Sequence, residues 1–244
     1  MYTFKSHIPY ILRKVDWMIS LRRNKTEKQP DFGIISGASG LPKNIGISGD
    51  SYICRKLPQN RYVIAIADGM GAGPEAARCS RFVLDSLYQL LRVGLDGQSI
   101  ATSLNAAIPS HMHDEYFTTL DMAVFDFNEG MCHMFKSGAA PTIIQRNDDI
   151  GVIRLPSMPL GIMDRADCRS ISFEIQHGDR FFFMSDGVSE AIPADDELSW
   201  AFRLIRDNPE DTPRSMAERL IWGATLRYGQ AERDDMTVVS AEII

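Results

Sequence analysis

The sequence has few cysteines, and none of them are spaced as a zinc site or a redox motif would require. Its four cysteines, Cys54, Cys79, Cys132 and Cys168, include no Cys-x-x-Cys unit. Two of them lie in apolar, strand-like runs, where cysteine acts as a small hydrophobic residue. We therefore expect a reducing compartment and neither disulfides nor zinc.

Long apolar runs and net positive charge are also missing. No stretch approaches the roughly 18 apolar residues of a transmembrane helix, and Lys5, His7 and Pro9 interrupt any apolar core of a signal peptide. The formal net charge is −6, which gives no reason to expect a nucleic acid partner. We expect a cytoplasmic protein, associated with a membrane only if the chain is part of a longer protein.

The positive charge that is present is concentrated at the amino end. Residues 1–30 hold seven Lys or Arg and two acidic residues, whereas acidic residues outnumber basic ones, 32 to 26, in the whole chain. Apolar residues at helical spacing predict an amphipathic helix over residues 7–23 with a basic opposite face. We divide the chain into this helix with its linker, residues 1–31, and a domain, residues 32–244. Packing on the domain or homodimerisation is favoured for the helix, with binding to an anionic membrane surface as the alternative.

The domain lacks the regular alternation of strands and helices that a parallel α/β sheet requires. Hairpin-connected strands with helices in separate blocks favour stacked antiparallel sheets covered by helices. Apolar patterns and turn residues predict strands at residues 32–38, 46–57, 61–67, 118–127, 130–137, 141–146, 151–154, 170–176, 180–185 and 236–243, and helices at 74–93, 98–108, 195–206 and 213–228.

Acidic residues stand at the ends of several predicted strands. Asp68 and Asp186 each follow an apolar strand and precede a glycine, Asp50 lies in a Gly-Asp-Ser unit, and Asp234 and Asp235 precede the last strand. Mg²⁺ and Mn²⁺ prefer oxygen ligands and keep several waters. Two such ions could share one Asp and activate water for attack on a phosphate ester. Each Asp-Gly pair taken alone also fits an ordinary turn.

Motifs with a specific resemblance occur in order along residues 32–244. They are Gly46-Ile-Ser-Gly-Asp-Ser-Tyr52, Ala67-Asp-Gly-Met-Gly71, Met184-Ser-Asp-Gly187 and Asp234-Asp-Met-Thr-Val238, with further stretches at Tyr116-Phe-Thr-Thr-Leu-Asp121, Gly138-Ala-Ala-Pro-Thr142 and Met158-Pro-Leu-Gly-Ile162. Together they resemble the metal-dependent serine/threonine protein phosphatase (PPM) family. The closest resemblance is to the phosphatase domain of the stage II sporulation protein E branch.

The resemblance implies a fold and an activity. The fold would be α+β, a four-layer αββα sandwich of two antiparallel sheets flanked by helices. The activity would be that of a protein serine/threonine phosphatase, in which a hydroxide bridging two Mn²⁺ or Mg²⁺ ions attacks phosphoserine directly. The substrate would be a phosphoserine-bearing anti-anti-sigma factor in sporulation or stress signalling. A non-catalytic docking or sensor module and a small-molecule phosphohydrolase stay open as alternatives.

The resemblance also implies a role for each motif residue. Asp68 would bridge both ions, and Asp68, Asp186 and Asp234 would be the catalytic residues. Asp235, where many relatives have Asn, would support the ligands without binding an ion. The implied metal ligands are Asp50, Asp68, the carbonyl of Gly69, Asp186 and Asp234.

One departure from the family concerns the substrate phosphate. Many eukaryotic relatives hold that phosphate with an Arg before the first acidic motif, but residues 32–49 contain no Arg and a single lysine, Lys43. Lys43 is a candidate phosphate contact, and a solvated loop lysine is the alternative. The helix at 74–93 is a regulatory switch in the resembled branch, and a plain packing helix is the alternative here.

Two other motifs allow different interpretations. Gly69-Met-Gly-Ala-Gly-Pro74 resembles a dinucleotide-binding turn, but no strand-end acid follows about 20 residues later. His111-Met-His-Asp114 contains possible metal ligands, although a solvated loop after a helix fits these residues better.

Overall fold

The computed structural model of the chain describes residues 31–43, 46–71, 73–112, 116–191 and 198–244. The helix expected at residues 7–23 lies outside this part of the chain. The division at residue 31 and the homodimer role of the helix therefore stay predictions.

The strands in the described part of the chain lie where the sequence pattern predicts them. They are β1 (Ile34–Leu41), β2 (Asp50–Leu57), β3 (Arg61–Asp68), β4 (Leu120–Asp126), β5 (Met131–Ser137), β6 (Thr142–Arg146), β7 (Asp149–Ile153), β8 (Arg169–Glu174), β9 (Arg180–Met184) and β10 (Met236–Ile243). One sheet has the order β1-β10-β9-β6-β7 and is called the β10 sheet; the other, called the β3 sheet, has the order β2-β3-β4-β5-β8. All paired strands in both sheets are antiparallel.

Side chains that alternate along the strands fill the space between the two sheets. In β9, Phe181 and Phe183 face the β3 sheet, whereas Phe182 and Met184 face the helices on the other side. The ring of Phe181 packs edge-on against Phe125 of β4, with 5.0 Å between ring centroids. A strand buried on both faces is apolar throughout, which explains the unbroken Phe-Phe-Phe-Met run.

Helices cover the outer faces of both sheets. In the described residues they are α1 (Pro74–Arg92), α2 (Gly97–Met112), α3 (Asp186–Ser189), α4 (Ser199–Asp207) and α5 (Pro213–Tyr228). The apolar faces of α1 and α2 pack on the β3 sheet, and those of α4 and α5 pack on the β10 sheet. The molecule is thus a helix–sheet–sheet–helix sandwich, and the predicted fold class is confirmed.

Two local predictions are wrong. Helix α2 continues to Met112, so His111 lies in its last turn and not in a loop. The His111 ring stacks on Phe82 of α1, with 4.5 Å between centroids, while residues 113–115 lie outside the described part. The short helix α3 was not predicted, because four residues are too few to show a helical period.

All four cysteines are free, and burial raises the pKa of the Cys54, Cys79 and Cys168 thiols to about 11. Within the described residues, no helix is both long and apolar enough to span a membrane.

Candidate metal centre

The β2–β3 hairpin brings the first two predicted site residues together. Gln59 and Asn60 adopt positive φ angles in the connecting turn, a conformation that suits tight hairpins. The resulting register pairs Asp50, the first residue of β2, with Asp68, the last residue of β3. Two acids that are 18 positions apart in the sequence therefore stand side by side at one end of the β3 sheet.

The β9 and β10 strands bring the other acids to the adjacent end of the β10 sheet. Asp186 begins α3 directly after β9, and Asp234 and Asp235 directly precede β10. The two strand ends are joined because Ser185 N donates to Thr237 O at 3.0 Å. A Cβ atom added to Gly187 would lie 2.1 Å from the Asp235 carbonyl oxygen, so the close approach of these segments requires a glycine.

Asp235 connects the two halves of the site. Its carboxylate accepts hydrogen bonds of 2.6 Å from the backbone amides of Gly49, which precedes β2, and of Lys43. Its side chain is buried, and charge-assisted bonds of this kind are among the stronger protein hydrogen bonds. Both carboxylate oxygens thus bind backbone amides, and the role of Asp235 as a residue that positions the site without binding an ion stays a prediction.

Asp50 is a buried carboxylate without a matching positive charge. Among the described residues, neither of its oxygens has a hydrogen-bond partner of ordinary geometry. Burial raises the pKa of Asp50 to about 6, and Asp235 and Asp186 add to the rise, whereas the hydroxyls of Ser185 and Thr237 oppose it. A buried, unpaired carboxylate is costly, and a bound cation would offset that cost.

Asp68 has the most strongly perturbed carboxylate of the site. Burial raises its pKa to about 9, with further contributions from the negative charges of Asp50, Asp186 and Asp234. The pKa of Asp186 is also raised, first by burial and then by Asp234. These shifts show that the acids from the two sheets lie close enough to repel one another, which is the arrangement that divalent cations stabilise.

Threonines at the start of β4 hold the backbone of Asp68. The Asp68 carbonyl accepts hydrogen bonds from Thr118 Oγ1 at 2.7 Å and from Thr119 N at 2.9 Å, and Asp68 N donates to Thr119 Oγ1 at 3.2 Å. Neither threonine was predicted to support the site. The resemblance of the stretch Tyr116–Asp121 to the PPM family was the one signal in the sequence that could have indicated them.

Gly69 lies under the first turn of α1. A Cβ atom added to Gly69 would lie 2.2 Å from the carbonyl oxygen of Ala76, a distance that no real Cβ tolerates. Its amide donates to Gly49 O at 3.3 Å, so Gly69 is also tied to the segment that precedes β2. The close packing of α1 on this turn therefore requires a glycine at position 69.

Lys43 lies at the edge of the acid cluster. Its Nζ is 3.3 Å from Glu232 Oε1, and hydrogen bonding to Glu232 followed by the charge of Asp234 raises the pKa of Lys43. The structure thus places a cation beside the site, and its role as a phosphate contact stays a prediction.

The residues fit hard divalent cations, although their side chains do not yet form a closed ligand set. Within the described residues, no three His, Cys, Asp or Glu side chains already have the arrangement of a metal site. The side chains that the two sheets bring together are carboxylates, which match the oxygen preference of Mg²⁺ and Mn²⁺, and the Gly69 carbonyl stays a predicted ligand. The unpartnered Asp50 oxygens are an independent sign that this position suits a cation.

The topology excludes the dinucleotide-binding interpretation of the Gly69 turn. That interpretation needs a parallel βαβ unit, whereas β3 is flanked by antiparallel β2 and β4.

Comparison with known proteins identifies the family. The model of the stage II sporulation protein E (SpoIIE) family matches residues 58–244. The chain belongs to the SpoIIE family. It is 31% identical over 215 residues to stage II sporulation protein E of Bacillus subtilis strain 168, an alignment that covers 87% of this chain and 26% of that protein. The chain therefore spans about a quarter of the length of this SpoIIE relative.

Solved structures agree with the SpoIIE assignment. The PP2C phosphatase domain of SpoIIE from Bacillus subtilis, solved with a fragment of its regulatory domain, matches with a TM-score of 0.77 and 28% identity over 87% of this chain and 63% of that chain. The catalytic domain of the serine/threonine phosphatase PstP in complex with two manganese ions matches with a TM-score of 0.65, covering 87% and 99% of the two chains; at 19% identity it shows the fold alone. The chain therefore belongs to the SpoIIE family and has the fold of its PP2C phosphatase domain.

Proposed function

We propose that this SpoIIE-family chain is a metal-dependent phosphatase of phosphoserine and phosphothreonine in proteins. The observation that carries the proposal is the meeting of Asp50 and Asp68 from one sheet with Asp186 and Asp234 from the other. The pKa values of Asp50, Asp68 and Asp186 are raised, and both Asp50 oxygens are unpaired within the described residues, a state that a bound cation would stabilise. The manganese-bound relative of the same fold supports two ions as the cofactor.

Some residues of the site would bind the metal ions, and others would hold those residues in position. Asp50, Asp68, Asp186, Asp234 and the Gly69 carbonyl would hold two Mn²⁺ or Mg²⁺ ions. Bound ions of this kind activate water and neutralise charge on a phosphoryl group. Asp235 would keep the two halves in register through its bonds to Gly49 and Lys43, and Thr118 and Thr119 would hold Asp68 in place. The Lys43 ammonium would attract the substrate phosphate.

The substrate that we propose is a phosphoserine-bearing regulator of the anti-anti-sigma type. This proposal comes from the family, because SpoIIE relatives are named for sporulation. It carries with it a cytoplasmic site of action for the domain, with membrane association in any longer protein that contains it.

The test is hydrolysis of p-nitrophenyl phosphate and of a phosphoserine peptide with and without Mn²⁺. We expect turnover that requires Mn²⁺ and that Asp68→Asn abolishes. The matched control is Asp207→Asn, the same change at an exposed residue at the end of α4. Turnover that persists in the presence of EDTA, or that survives Asp68→Asn, would contradict the proposal.

A further inference from the structure

A groove of about 460 Å³ lies between helix α1 and the loop that precedes β2. Its lining is mostly apolar but includes two guanidinium groups. The lining residues are Ile47, Pro74, Ala77, Arg78, Arg81 and Phe82.

The groove directly adjoins the candidate metal centre. Ile47 precedes Asp50 by three residues, and Pro74 follows Gly69 by five. Helix α1 is seated against the centre through Ala76, whose Cβ would lie 3.0 Å from a Cβ added to Gly49. A peptide that presents a phosphoserine to the acids can therefore reach the groove with its neighbouring residues.

The lining of the groove combines an exposed apolar surface with an arginine that is unpaired within the described part of the chain. Ile47 is 49% exposed, which leaves a large apolar side chain in solvent beside the apolar face of Phe82. Arg78 pairs with Glu75 on its own helix, whereas Arg81 has no ion-pair or hydrogen-bond partner within the described residues. An exposed apolar surface next to a free guanidinium suits a partner with one apolar and one acidic side chain.

We propose that this groove binds the residues flanking the phosphoserine of a protein substrate. An apolar side chain would pack on Ile47 and Phe82, and an acidic side chain would pair with Arg81. Charge complementarity favours this occupant over the chain's own residues 1–30, since that segment holds seven Lys or Arg and two acids and would be repelled. The inference deepens the proposed function and rests on it.

The experiment compares short phosphoserine peptides that carry either Leu and Asp or Leu and Lys beside the phosphoserine. In the unmodified chain with Mn²⁺, we expect kcat/KM to be higher for the Asp peptide by about fivefold, the scale of an exposed ion pair. Arg81→Glu should reverse the preference, because the acid would then repel Asp and attract Lys. The control Arg206→Glu, an exposed arginine on α4, should leave the ratio unchanged.

A second variant tests the apolar wall. Ile47→Ala should reduce the preference for Leu over Gly beside the phosphoserine by about threefold, since it removes part of the exposed apolar surface. Hydrolysis of p-nitrophenyl phosphate by the unmodified chain tests the proposed function separately, because this small ester does not reach the groove.

Several outcomes would overturn the inference while leaving the proposed function intact. If the ratio of kcat/KM between the Asp and Lys peptides stays the same in Arg81→Glu and p-nitrophenyl phosphate is still hydrolysed, the groove does not bind the residues beside the phosphoserine. Slower hydrogen exchange over residues 1–30 in that variant would assign the groove to the basic segment. A change in oligomeric state measured by light scattering would assign it to a second copy.

Discussion

Asp50 shows how the site works at the scale of a single residue. Its carboxylate is buried, has unpartnered oxygens and is surrounded by other acids. Within the described residues, the nearest compensation comes from the hydroxyls of Ser185 and Thr237, which are neutral. The site is therefore destabilising in the absence of cations, and its stability should depend on them more than on any contact between side chains.

Neutralising Asp50 should therefore have opposite effects with and without metal. In EDTA at pH 8, Asp50→Asn should raise the free energy of unfolding by about 3 kcal/mol, because it removes a buried charge whose pKa is about 6 in the folded state and near 3.8 in the unfolded chain. The stabilisation that Mn²⁺ adds should fall. Urea denaturation with EDTA and with Mn²⁺ measures both effects, and a loss of stability in EDTA would show that the charge is compensated within the protein.

The pH dependence of the metal-free protein follows from Asp68. An Asp in the unfolded chain titrates near 3.8, whereas the folded-state pKa of Asp68 is about 9. Between these values the folded state binds more protons, so the free energy of unfolding should fall as pH rises from about 5 to about 9. Saturating Mn²⁺ should remove this fall. Stability that rises with pH across this window in EDTA would contradict the account.

The residues that carry charge could be predicted from sequence, but their supporting contacts could not. Their positions at predicted strand ends indicate Asp50, Asp68, Asp186 and Asp234. The first three also have a neighbouring glycine. By contrast, no local pattern marks Thr118, whose hydroxyl binds the Asp68 backbone carbonyl, or Thr237 of β10, whose hydroxyl lies beside the Asp50 carboxylate. Register depends on tertiary pairing, which local sequence does not encode.

At the scale of elements, helix α1 packs so closely on the Gly69 turn that the two are coupled in position. The helix begins with Pro74 at its first turn and packs its Ala76 carbonyl over Gly69. Any shift of α1 along its axis must therefore move the backbone that is predicted to bind an ion. The structure explains how a helix outside the site can affect metal binding, and its role as a switch stays a prediction.

Gly69→Ala tests this coupling. The added methyl would overlap the Ala76 carbonyl, so α1 must move, at a cost of about 1–3 kcal/mol, and Mn²⁺ should bind more weakly. Calorimetric titration measures the affinity. Gly178→Ala is the control for a general loss of stability, because Gly178, unlike Gly69, has a positive φ, and its added Cβ meets nothing within 4 Å. Unchanged affinity in a folded Gly69→Ala protein would separate the helix from the site.

A buried ion pair fastens the two sheets beneath the site. Lys136 of β5 donates to Asp121 of β4 and, at 2.8 Å, to Thr142 Oγ1 of β6, which belongs to the other sheet. Lys136→Met should cost about 3–5 kcal/mol, because it leaves a buried carboxylate unpaired. The double variant Lys136→Met with Asp121→Asn should cost less. Equal losses in urea denaturation would mean that packing, and not the unpaired charge, sets the cost.

The positions of the strands and helices were largely predictable because turn residues, proline and glycine mark their ends. The alternation in β2 and the apolar run in β9 are bounded by turn residues, and α1 has Pro74 at its start and Gly94 beyond its end. Helix α3 was missed because it is too short for a periodic signal. The end of α2 was missed because Pro109, which lies inside the helix, made an earlier end more plausible.

At the scale of the whole molecule, the site exists only where the two sheets meet. One sheet supplies Asp50 and Asp68, the other supplies Asp186 and Asp234, and Asp235 joins them through the Gly49 amide. The order of motifs along the chain indicated the family, but the inter-sheet contact could be seen only in three dimensions. Because the proposed ligands come from both sheets, metal binding should depend on correct packing of the two sheets.

Calorimetric titration of Mn²⁺ into the unmodified chain and its Asp68→Asn variant would show whether the acids of the two sheets form a metal centre. We expect two ions bound per chain, with binding lost in Asp68→Asn and kept in Asp207→Asn. No binding by the unmodified chain, or binding that Asp68→Asn leaves unchanged, would contradict a metal centre built from the acids of the two sheets.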